Sequence, residues 1–411
     1  MEETFKAIPV SDRVYWVGAV DWGLRDFHGY ATRRGSTYNA FLILGDKPIL
    51  VDTVKAPFKD EMLARIASVI EPRKIRTIIS NHSEMDHSGC LPEAIALIQP
   101  EAVYASPMGV KALEGHFRLR NITAIQDGQT LTLGNATLRF LETRMLHWPD
   151  SMLTYLVEDQ VLFTNDAFGM HLASAERFTD QLPWDVIEHE AAKYYANILM
   201  PLSGMVKKVI ARLAELNLPL KLVATDHGPI WRRDFDKIIN LYSRWAEHRP
   251  TRKAVIVYDT MWQSTAKMAQ ALAEGLLAGG ASPQVMPLSG SDRSEVATEV
   301  LQAGALLVGS PTLNNNMFPT VADTLTYLKG LRPANLIGAA FGSYGWSGEV
   351  VGQLNEILKA MKVELVSEGV RCVYVPTPEV LAQCHALGLQ VAGRLGEVSL
   401  PAASGPGGKE S

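Results

Sequence analysis

Four side chains able to bind a metal ion fall within six residues, directly after the strand-like run 75–79. They are His82, Glu84, Asp86 and His87. A buried strand that ends in a turn rich in ligands is typical of a metal site. Three segments further along the chain offer the other ligands that such a site needs: His147, Asp166 and His227. Imidazoles and carboxylates without a thiolate suit a hard or borderline ion.

The spacing of the first cluster, H-x-E-x-D-H, resembles the two-metal signature of the metallo-β-lactamase fold, which usually reads H-x-H-x-D-H. Glu84 stands where that pattern has its second histidine. Two neighbouring metal ions repel each other, and each added carboxylate offsets part of that repulsion. Zinc sites in hydrolases prefer more nitrogen, whereas a pair of ions held by carboxylates and imidazoles suits redox-active iron. Glu84 therefore favours a di-iron oxidoreductase over a zinc hydrolase.

The second half of the chain independently predicts a bound phosphate. The β-branched run 254–258 reads as a buried strand, residues 259–265 as a hydroxyl-rich turn, and residues 266–277 as a helix. Backbone N–H groups at a helix N-terminus bind anions. Neither G-x-G-x-x-G nor G-x-x-x-x-G-K-[ST] is present, so the dinucleotide fingerprint and the P-loop are not met. A flavodoxin-like domain that binds FMN at the edge of a parallel sheet remains.

Two later loops also follow predicted strands, 305–309 and 337–341, at the edge where an open α/β sheet binds its ligand. The second loop supplies Tyr344 and Trp346, whose rings can stack on an isoalloxazine. The residues predicted to bind FMN are Thr260, Met261, Trp262, Gln263, Ser264, Thr265, Pro311, Thr312, Leu313, Asn314, Asn315, Ser343, Tyr344, Gly345 and Trp346.

Together these motifs resemble those of the flavodiiron proteins, or A-type flavoproteins, in which a metallo-β-lactamase-like di-iron domain precedes a flavodoxin domain. The resemblance extends from about Val14 to Leu395. Its most specific elements are H-x-E-x-D-H, L-H-W-P-D-S, N-D-A-F-G and D-H-G-P.

The resemblance implies a division of the ligands between two irons. One iron is expected to bind His82, Glu84 and His147, and the other Asp86, His87 and His227. Asp166 is expected to bridge them, and the histidine corresponding to His87 does not bind in every family member. The resemblance also suggests outer donors, although packing would explain them equally well: His28, His171 and Tyr195.

The reaction that the resemblance implies is reduction of dioxygen to water, of nitric oxide to nitrous oxide, or both. A diferrous pair and reduced FMN together store the four electrons that dioxygen needs. No C-x-x-C pair follows the flavodoxin half, so the electrons are expected from a separate donor, a rubredoxin or a deazaflavin in relatives. Family precedent also implies a homodimer or homotetramer. Two alternatives stay open: a metallo-β-lactamase-type hydrolase and a di-iron oxygen sensor without turnover.

Bulk properties agree with a two-domain cytoplasmic enzyme. The chain has 411 residues, a net charge of −5 and a pI near 6.1, which argue against nucleic acid or an anionic membrane as partner. Its first residues are acidic where a signal peptide needs bases, and no apolar run reaches the ~20 residues of a membrane span. Three scattered cysteines form neither a disulfide framework nor a metal motif.

The order of predicted elements indicates three segments. Residues 1–250 are expected to form an α/β, metallo-β-lactamase-like αββα sandwich, residues 251–400 a flavodoxin-like, doubly wound parallel sheet, and residues 401–411 a disordered tail. Predicted strands of the first segment are 14–17, 40–44, 48–51, 136–140 and 220–223. Further predicted helices of the second are 291–303, 319–329, 349–361 and 378–395.

Overall fold

A computed structural model describes residues 4–398, so the predicted disordered tail, 401–411, lies outside the described residues. The described chain divides into two compact units. The first comprises residues 4–194 and 202–243, and the second residues 195–201 and 244–398. No helix within residues 4–398 is long and apolar enough to cross a membrane.

The first unit contains two large sheets. Its strands are β1 Ile8–Pro9, β2 Val14–Trp16, β3 Ala19–Asp21, β4 Asp26–Phe27, β5 Tyr30–Ala31, β6 Ser36–Tyr38, β7 Phe41–Ile43, β8 Ile49–Val51, β9 Thr77–Ser80, β10 Ala102–Ala105, β11 Thr123–Ala124, β12 Thr130–Leu133, β13 Ala136–Glu142, β14 Met152–Leu156, β15 Val161–Phe163 and β16 Leu222–Ala224. One sheet has the order β1-β2-β7-β8-β9-β10-β11 and the other β12-β13-β14-β15-β16. Its helices are α1 Lys59–Ala67, α2 Met85–Ser88, α3 Leu91–Ile98, α4 Pro107–Phe117, α5 Trp184–Tyr194, α6 Ser203–Leu216 and α7 Phe235–Ala246. The last of these continues into the second unit.

Alternating side chains explain why these sheets stack. Phe41 and Ile43 of β7 pack into a core with Phe140 and Phe163 of the second sheet. Leu42, which lies between them, packs instead with apolar residues of α1, α3 and α4. Because successive strand residues point to opposite faces, this alternation gives a sheet packed on a sheet, with helices over the outer face, which is the arrangement predicted for the metallo-β-lactamase-like half.

The second unit is built on a parallel sheet. Its strands are β17 Lys253–Tyr258, β18 Ser282–Pro287, β19 Ala305–Pro311, β20 Ile337–Tyr344, β21 Glu364–Leu365 and β22 Val370–Val373. Its helices are α8 Ser264–Ala278, α9 Arg293–Leu301, α10 Pro319–Leu331, α11 Val350–Ala360 and α12 Pro378–Val398. The order is β18-β17-β19-β20-β21, with β22 also paired to β20. This strand order, 2-1-3-4-5, is that of flavodoxin, so the predicted fold is confirmed.

The predicted elements are present, with small shifts at their ends. Helix α9 begins at Arg293 because the Asp292 side chain caps it, accepting hydrogen bonds from the N–H groups of Ser294 and Glu295 at 3.0 Å. Helix α12 continues to Val398, past the predicted end at residue 395. The predicted boundary at residue 250 stays a prediction, since the chain passes between the compact units at residues 194, 201 and 243.

Candidate functional site

The seven predicted ligands lie at the ends of strands in the first unit. His82 and Glu84 follow β9, and α2 then carries Asp86 and His87. The other three are supplied by the second sheet. His147 lies in the loop between β13 and β14, Asp166 follows β15, and His227 follows β16. Strands that end at one edge of the sandwich therefore bring together ligands separated by up to 145 residues in the chain. All of them are buried or nearly so.

Asp166 lies at the centre of this cluster, and its two oxygens face different groups. Its Oδ2 atom lies 2.7 Å from Nε2 of His147 and 3.5 Å from Nε2 of His82. Its Oδ1 atom lies 3.0 Å from Nε2 of His87 and 3.5 Å from Nε2 of His227. The remaining carboxylates complete the two groups. Glu84 Oε2 is 3.3 Å from His82 Nε2, and Asp86 Oδ2 is 3.2 Å from His227 Nε2.

The far nitrogens of the imidazoles face acceptors outside the cluster. His82 Nδ1 lies 3.3 Å from Oδ2 of Asp150, and His227 Nδ1 lies 2.6 Å from the carbonyl oxygen of Thr37. An acceptor at Nδ1 holds the proton there, which leaves the Nε2 lone pair free to bind a metal. The sequence reasoning did not select Asp150, although it lies within the same L-H-W-P-D-S motif as His147.

Electrostatics within the cluster are dominated by its own charges. Burial opposes protonation of His82 and His87, yet the facing carboxylates raise both pKa values, that of His87 to about 9. Burial alone would raise the pKa of Asp166, but His87 and His227 hold it well below its usual value. The carboxylates therefore favour positive charge within the cluster, and a metal ion that binds there displaces protons.

Two of the three predicted outer donors lie beside the ligands. His28 Nε2 lies 3.7 Å from Oε1 of Glu84. The His171 ring lies 4.5 Å from that of His227, and burial lowers the pKa of His171, so its imidazole is neutral.

The tyrosine ring packed on these histidines is Tyr194, which lies 5.2 Å from His171 and 6.2 Å from His227. Tyr195 belongs to the second unit and packs on Trp245 at 5.3 Å. Its predicted role as an outer donor stays a prediction.

Several nitrogen and oxygen atoms of this site lie close together without hydrogen bonds that would satisfy all of them. Nε2 of His87 and Nε2 of His227 are only 3.2 Å apart, and Oδ1 of Asp166 has no hydrogen-bond donor. The ligand atoms of His82, Glu84, His147 and Asp166 lie within 4.8 Å of one another, as do those of Asp86, His87 and His227. Two cations would satisfy these groups, so the residues present fit a pair of metal ions.

A second site lies at the carboxyl edge of the sheet in the second unit. A cavity of about 690 Å³ opens there, which is the size of a cofactor pocket. The predicted residues that line it are Met261, Trp262, Ser264, Pro311, Thr312, Asn314, Asn315, Ser343, Tyr344, Gly345 and Trp346. Trp262 and Trp346 are each 89% exposed, as expected of rings that stack on a planar ligand rather than on protein.

Four predicted FMN residues do not line this cavity: Thr260, Gln263, Thr265 and Leu313. Thr265 is buried and its hydroxyl lies 3.1 Å from that of Ser343. The Leu313 backbone N–H bonds the Asn316 carbonyl, closing a tight turn. Gln263 has a positive φ of 67° directly before α8. Thr265, Leu313 and Gln263 therefore shape the loops instead of facing the cavity, whereas the hydroxyl of Thr260 has no hydrogen-bond partner within the protein.

The sequence reasoning missed three lining residues, Ser347, Tyr374 and Val375. Tyr374 and Val375 follow β22, and Val373 at its end pairs with Tyr344 of β20. That register brings the loop after β22 to the loop after β20. The short, mostly apolar run Val370–Val373, which forms the parallel strand β22, was the signal that could have revealed them.

The cavity fits a phosphate-bearing flavin. It lies at the N-terminus of α8, where Ser264 is the first residue. The hydroxyl oxygens of Thr260 and Thr312 are buried and have no hydrogen-bond partner, and a buried hydroxyl without a partner is unfavourable unless a ligand supplies one.

Comparisons with known proteins support both predicted domains. Residues 37–228 match the family model for ODP family beta lactamase, and residues 256–388 match that for flavodoxin. A nitric oxide reductase of Moorella thermoacetica is 47% identical over 95% of this chain and 99% of its own length. The chain belongs to the flavodiiron protein family. It is accordingly an oxidoreductase, and the cofactors of this family are a pair of irons in the β-lactamase-like domain and FMN in the flavodoxin domain.

Solved structures of flavodiiron proteins superimpose along the chain. Rubredoxin oxygen:oxidoreductase from Desulfovibrio gigas has a TM-score of 0.93 and 42% identity, covering 95% of this chain and 99% of that one. The flavodiiron protein of Giardia intestinalis has a TM-score of 0.92 and 33% identity, covering 96% and 97%. Each relative therefore shares both domains of this protein.

Proposed function

We propose that this flavodiiron protein reduces dioxygen to water, nitric oxide to nitrous oxide, or both, at its di-iron site, with electrons passed through FMN from an external donor. The observation that carries the proposal is the position of Asp166, whose two oxygens face two separate groups of ligands. Relatives named nitric oxide reductase and rubredoxin-oxygen oxidoreductase support it.

The proposed ligand set follows these two groups. His82, Glu84 and His147 would hold one iron, and Asp86, His87 and His227 the other. Asp166 would bridge them, because each of its oxygens already faces one group. When bound, the irons and the flavin supply the electrons for reduction of the gas.

The residues around the ligands would shape a small apolar pocket. The Phe27 ring lies 4.8 Å from that of His171 and 6.4 Å from that of His227, and Tyr194 packs on the same two histidines. Burial raises the pKa of Tyr194 well above its ordinary value, so its phenol keeps its proton and adds no charge. Such a lining suits a diatomic gas better than a large polar substrate.

In the second unit, Trp262 and Trp346 would lie against the isoalloxazine. The hydroxyls of Thr260, Ser264 and Thr312 and the first turn of α8 would bind the phosphate and the neighbouring polar atoms. A buried, charge-assisted hydrogen bond stabilises a complex by roughly 1.5–3 kcal/mol, so these groups together would account for tight binding.

Further parts of the proposal concern partners and location. Rubredoxin is the proposed donor, supported by the name of the Megalodesulfovibrio gigas relative, which is 43% identical; a deazaflavin is the alternative. The protein is proposed to work as a homodimer or homotetramer. A cytoplasmic location is proposed because Cys90, Cys372 and Cys384 are buried free thiols, as in proteins of reducing compartments.

Steady-state assays with each gas test the proposal. The iron-loaded, FMN-loaded protein is supplied with a reduced rubredoxin under anaerobic conditions, and dioxygen or nitric oxide is added. Consumption of either gas, dependent on both cofactors, is the expected result. Stoichiometric zinc with esterase or lactonase activity would instead identify a hydrolase. A stable dioxygen adduct without turnover would identify a sensor.

A further inference from the structure

Two buried polar groups behind the metal centre face each other without a hydrogen bond. They are Nδ1 of His87 and the carboxylate of Asp226. Both side chains are at most 1% exposed. Neither this nitrogen nor either oxygen of Asp226 has a hydrogen-bond partner. A buried carboxylate without a partner is strongly unfavourable, so this arrangement requires an explanation.

The two nitrogens of His87 point in different directions. Nε2 faces the ligand cluster, 3.0 Å from Oδ1 of Asp166 and 3.2 Å from Nε2 of His227. Nδ1 lies 3.6 Å from Oδ2 of Asp226. That is longer than an N–H···O hydrogen bond, which usually measures about 2.9 Å. The imidazole of His87 therefore has a metal-facing edge and a carboxylate behind its Nδ1 atom.

The same pattern surrounds two other ligands. Asp150 stands behind Nδ1 of His82, and the Thr37 carbonyl behind Nδ1 of His227. The Asp226 backbone is fixed on both sides, since its N–H donates to the Asn165 carbonyl and its own carbonyl accepts from the N–H of Asn39. The backbone that carries this carboxylate is thus fixed next to His87.

We propose that Asp226 is a positioning residue, which accepts a hydrogen bond from Nδ1–H of His87 and thereby directs the Nε2 lone pair of His87 at the second iron. This inference rests on the proposed ligand set, in which His87 binds that iron. Loss of an acceptor of this kind typically weakens metal binding about 10–100-fold. Asp226 is not a ligand itself in this account.

Titration of the metal-free protein with Fe(II) under anaerobic conditions, with FMN bound, tests the proposal. Asp226→Leu, which has a similar shape but no acceptor, should weaken binding of the second equivalent about 10–100-fold and leave the first unchanged. Asp226→Asn keeps an oxygen that can accept from Nδ1–H but has no charge, so it should weaken binding less. Circular dichroism and retained FMN verify that each variant is folded.

A double-mutant cycle with His87→Ala separates positioning from general damage. If Asp226 acts through His87, then Asp226→Leu should have no further effect in the His87→Ala background. Asp159→Leu is the matched control. Asp159 is a partly buried carboxylate of the same unit that accepts a hydrogen bond from Nε of Arg13 at 2.6 Å, and it lies in the hairpin before β15, at the opposite end of that strand from Asp166. Its effect should add to that of His87→Ala.

Three results would overturn the proposal, and they differ in what else they imply. Wild-type iron affinity in Asp226→Leu would exclude a positioning role while leaving the ligand set intact. Full additivity of Asp226→Leu and His87→Ala would mean that Asp226 acts independently of His87, for example as a direct ligand. Unchanged iron binding in His87→Ala alone would remove His87 from the ligand set, and Asp226 would lose its target with it.

Discussion

Nε2 of His147 lies 2.7 Å from Oδ2 of Asp166, and the other oxygen of that carboxylate faces His87. One short side chain therefore contacts both groups of ligands. Removing either partner should have different consequences, because His147 belongs to one group and Asp166 to both.

The first prediction concerns these two residues. Wild-type protein should contain about two irons per chain. His147→Ala should lower that content and Asp166→Ala should lower it further, and both should abolish gas reduction while FMN stays bound. Metal analysis and flavin absorbance on the same samples measure this. Replacing His116, whose ring stacks near Trp148 at 6.3 Å and lies outside the ligand set, by alanine is the control and should keep both irons.

The second prediction concerns the flavin. Thr260→Ala with Ser264→Ala removes two hydroxyls, each contributing roughly 1.5–3 kcal/mol if it bonds the phosphate. The double variant should lose FMN and keep its iron, as measured by fluorescence titration with FMN and by iron analysis. Thr377→Ala, at a threonine just before α12, is a matched surface control. Wild-type FMN affinity in the double variant would place the phosphate elsewhere.

Much of the metal site could be predicted because its ligands stand in compact motifs directly after strands. Because each motif directly follows a strand, its ligands are expected at the edge of the sandwich where those strands end. The division of Asp166 between two groups could not be derived from spacing, since it depends on how the sheets pack. The position of Asp226 could not be predicted either. Asp226 precedes the ligand His227 in the sequence, and nothing in the sequence indicates that its carboxylate lies near Nδ1 of a different ligand, His87.

The surroundings of single residues outside the motifs could not be predicted from the sequence. Neighbouring residues on a helix point about 100° apart, so Tyr194 and Tyr195 have different surroundings although one position separates them. Tyr194 ends α5, and a π-helical turn begins at Tyr195, which changes the helical register. No sequence periodicity signals such a turn. In the flavin site, Tyr374 was missed because its approach to Gly345 depends on strand pairing between β22 and β20.

The third prediction concerns the proposed dimer. If the flavin of one chain serves the irons of its partner, a variant without iron (His147→Ala) and a variant without flavin (Thr260→Ala with Ser264→Ala) should complement each other. Random exchange of equal amounts makes half of the dimers mixed. A dimer has two pairs in which the flavin of one chain faces the irons of the other, and one of these two pairs is complete in each mixed dimer. Activity should recover to about one quarter of wild type.

The control for this mixture is a chain that carries both defects, exchanged with the iron-free variant, which should stay inactive. Native mass spectrometry establishes that subunits have exchanged. Inactivity of the first mixture after proven exchange would mean that electrons pass within one chain.

The fourth prediction concerns the fold of the second unit. A Cβ atom on Gly275 of α8 would lie 2.1 Å from the carbonyl oxygen of His385 in α12. Gly275→Ala should therefore destabilise the protein by about 1–3 kcal/mol, measured by urea denaturation. Gly352→Ala is the matched control, since a Cβ at that position in α11 has no atom within 4 Å. It should be neutral or stabilising by up to about 1 kcal/mol. Equal effects of the two substitutions would argue against close packing of α8 and α12.

If the irons and the flavin act together to reduce a gas, the number of electrons consumed per gas molecule will show it. Fully reduced protein, freed of its donor, is titrated anaerobically with dioxygen while flavin absorbance and hydrogen peroxide are followed, and a second sample is titrated with nitric oxide while nitrous oxide is measured. We expect that dioxygen reoxidises FMN with four electrons consumed per molecule and no peroxide released, or that two nitric oxide molecules yield one nitrous oxide. Peroxide formed in proportion to dioxygen, together with no nitrous oxide, would contradict it.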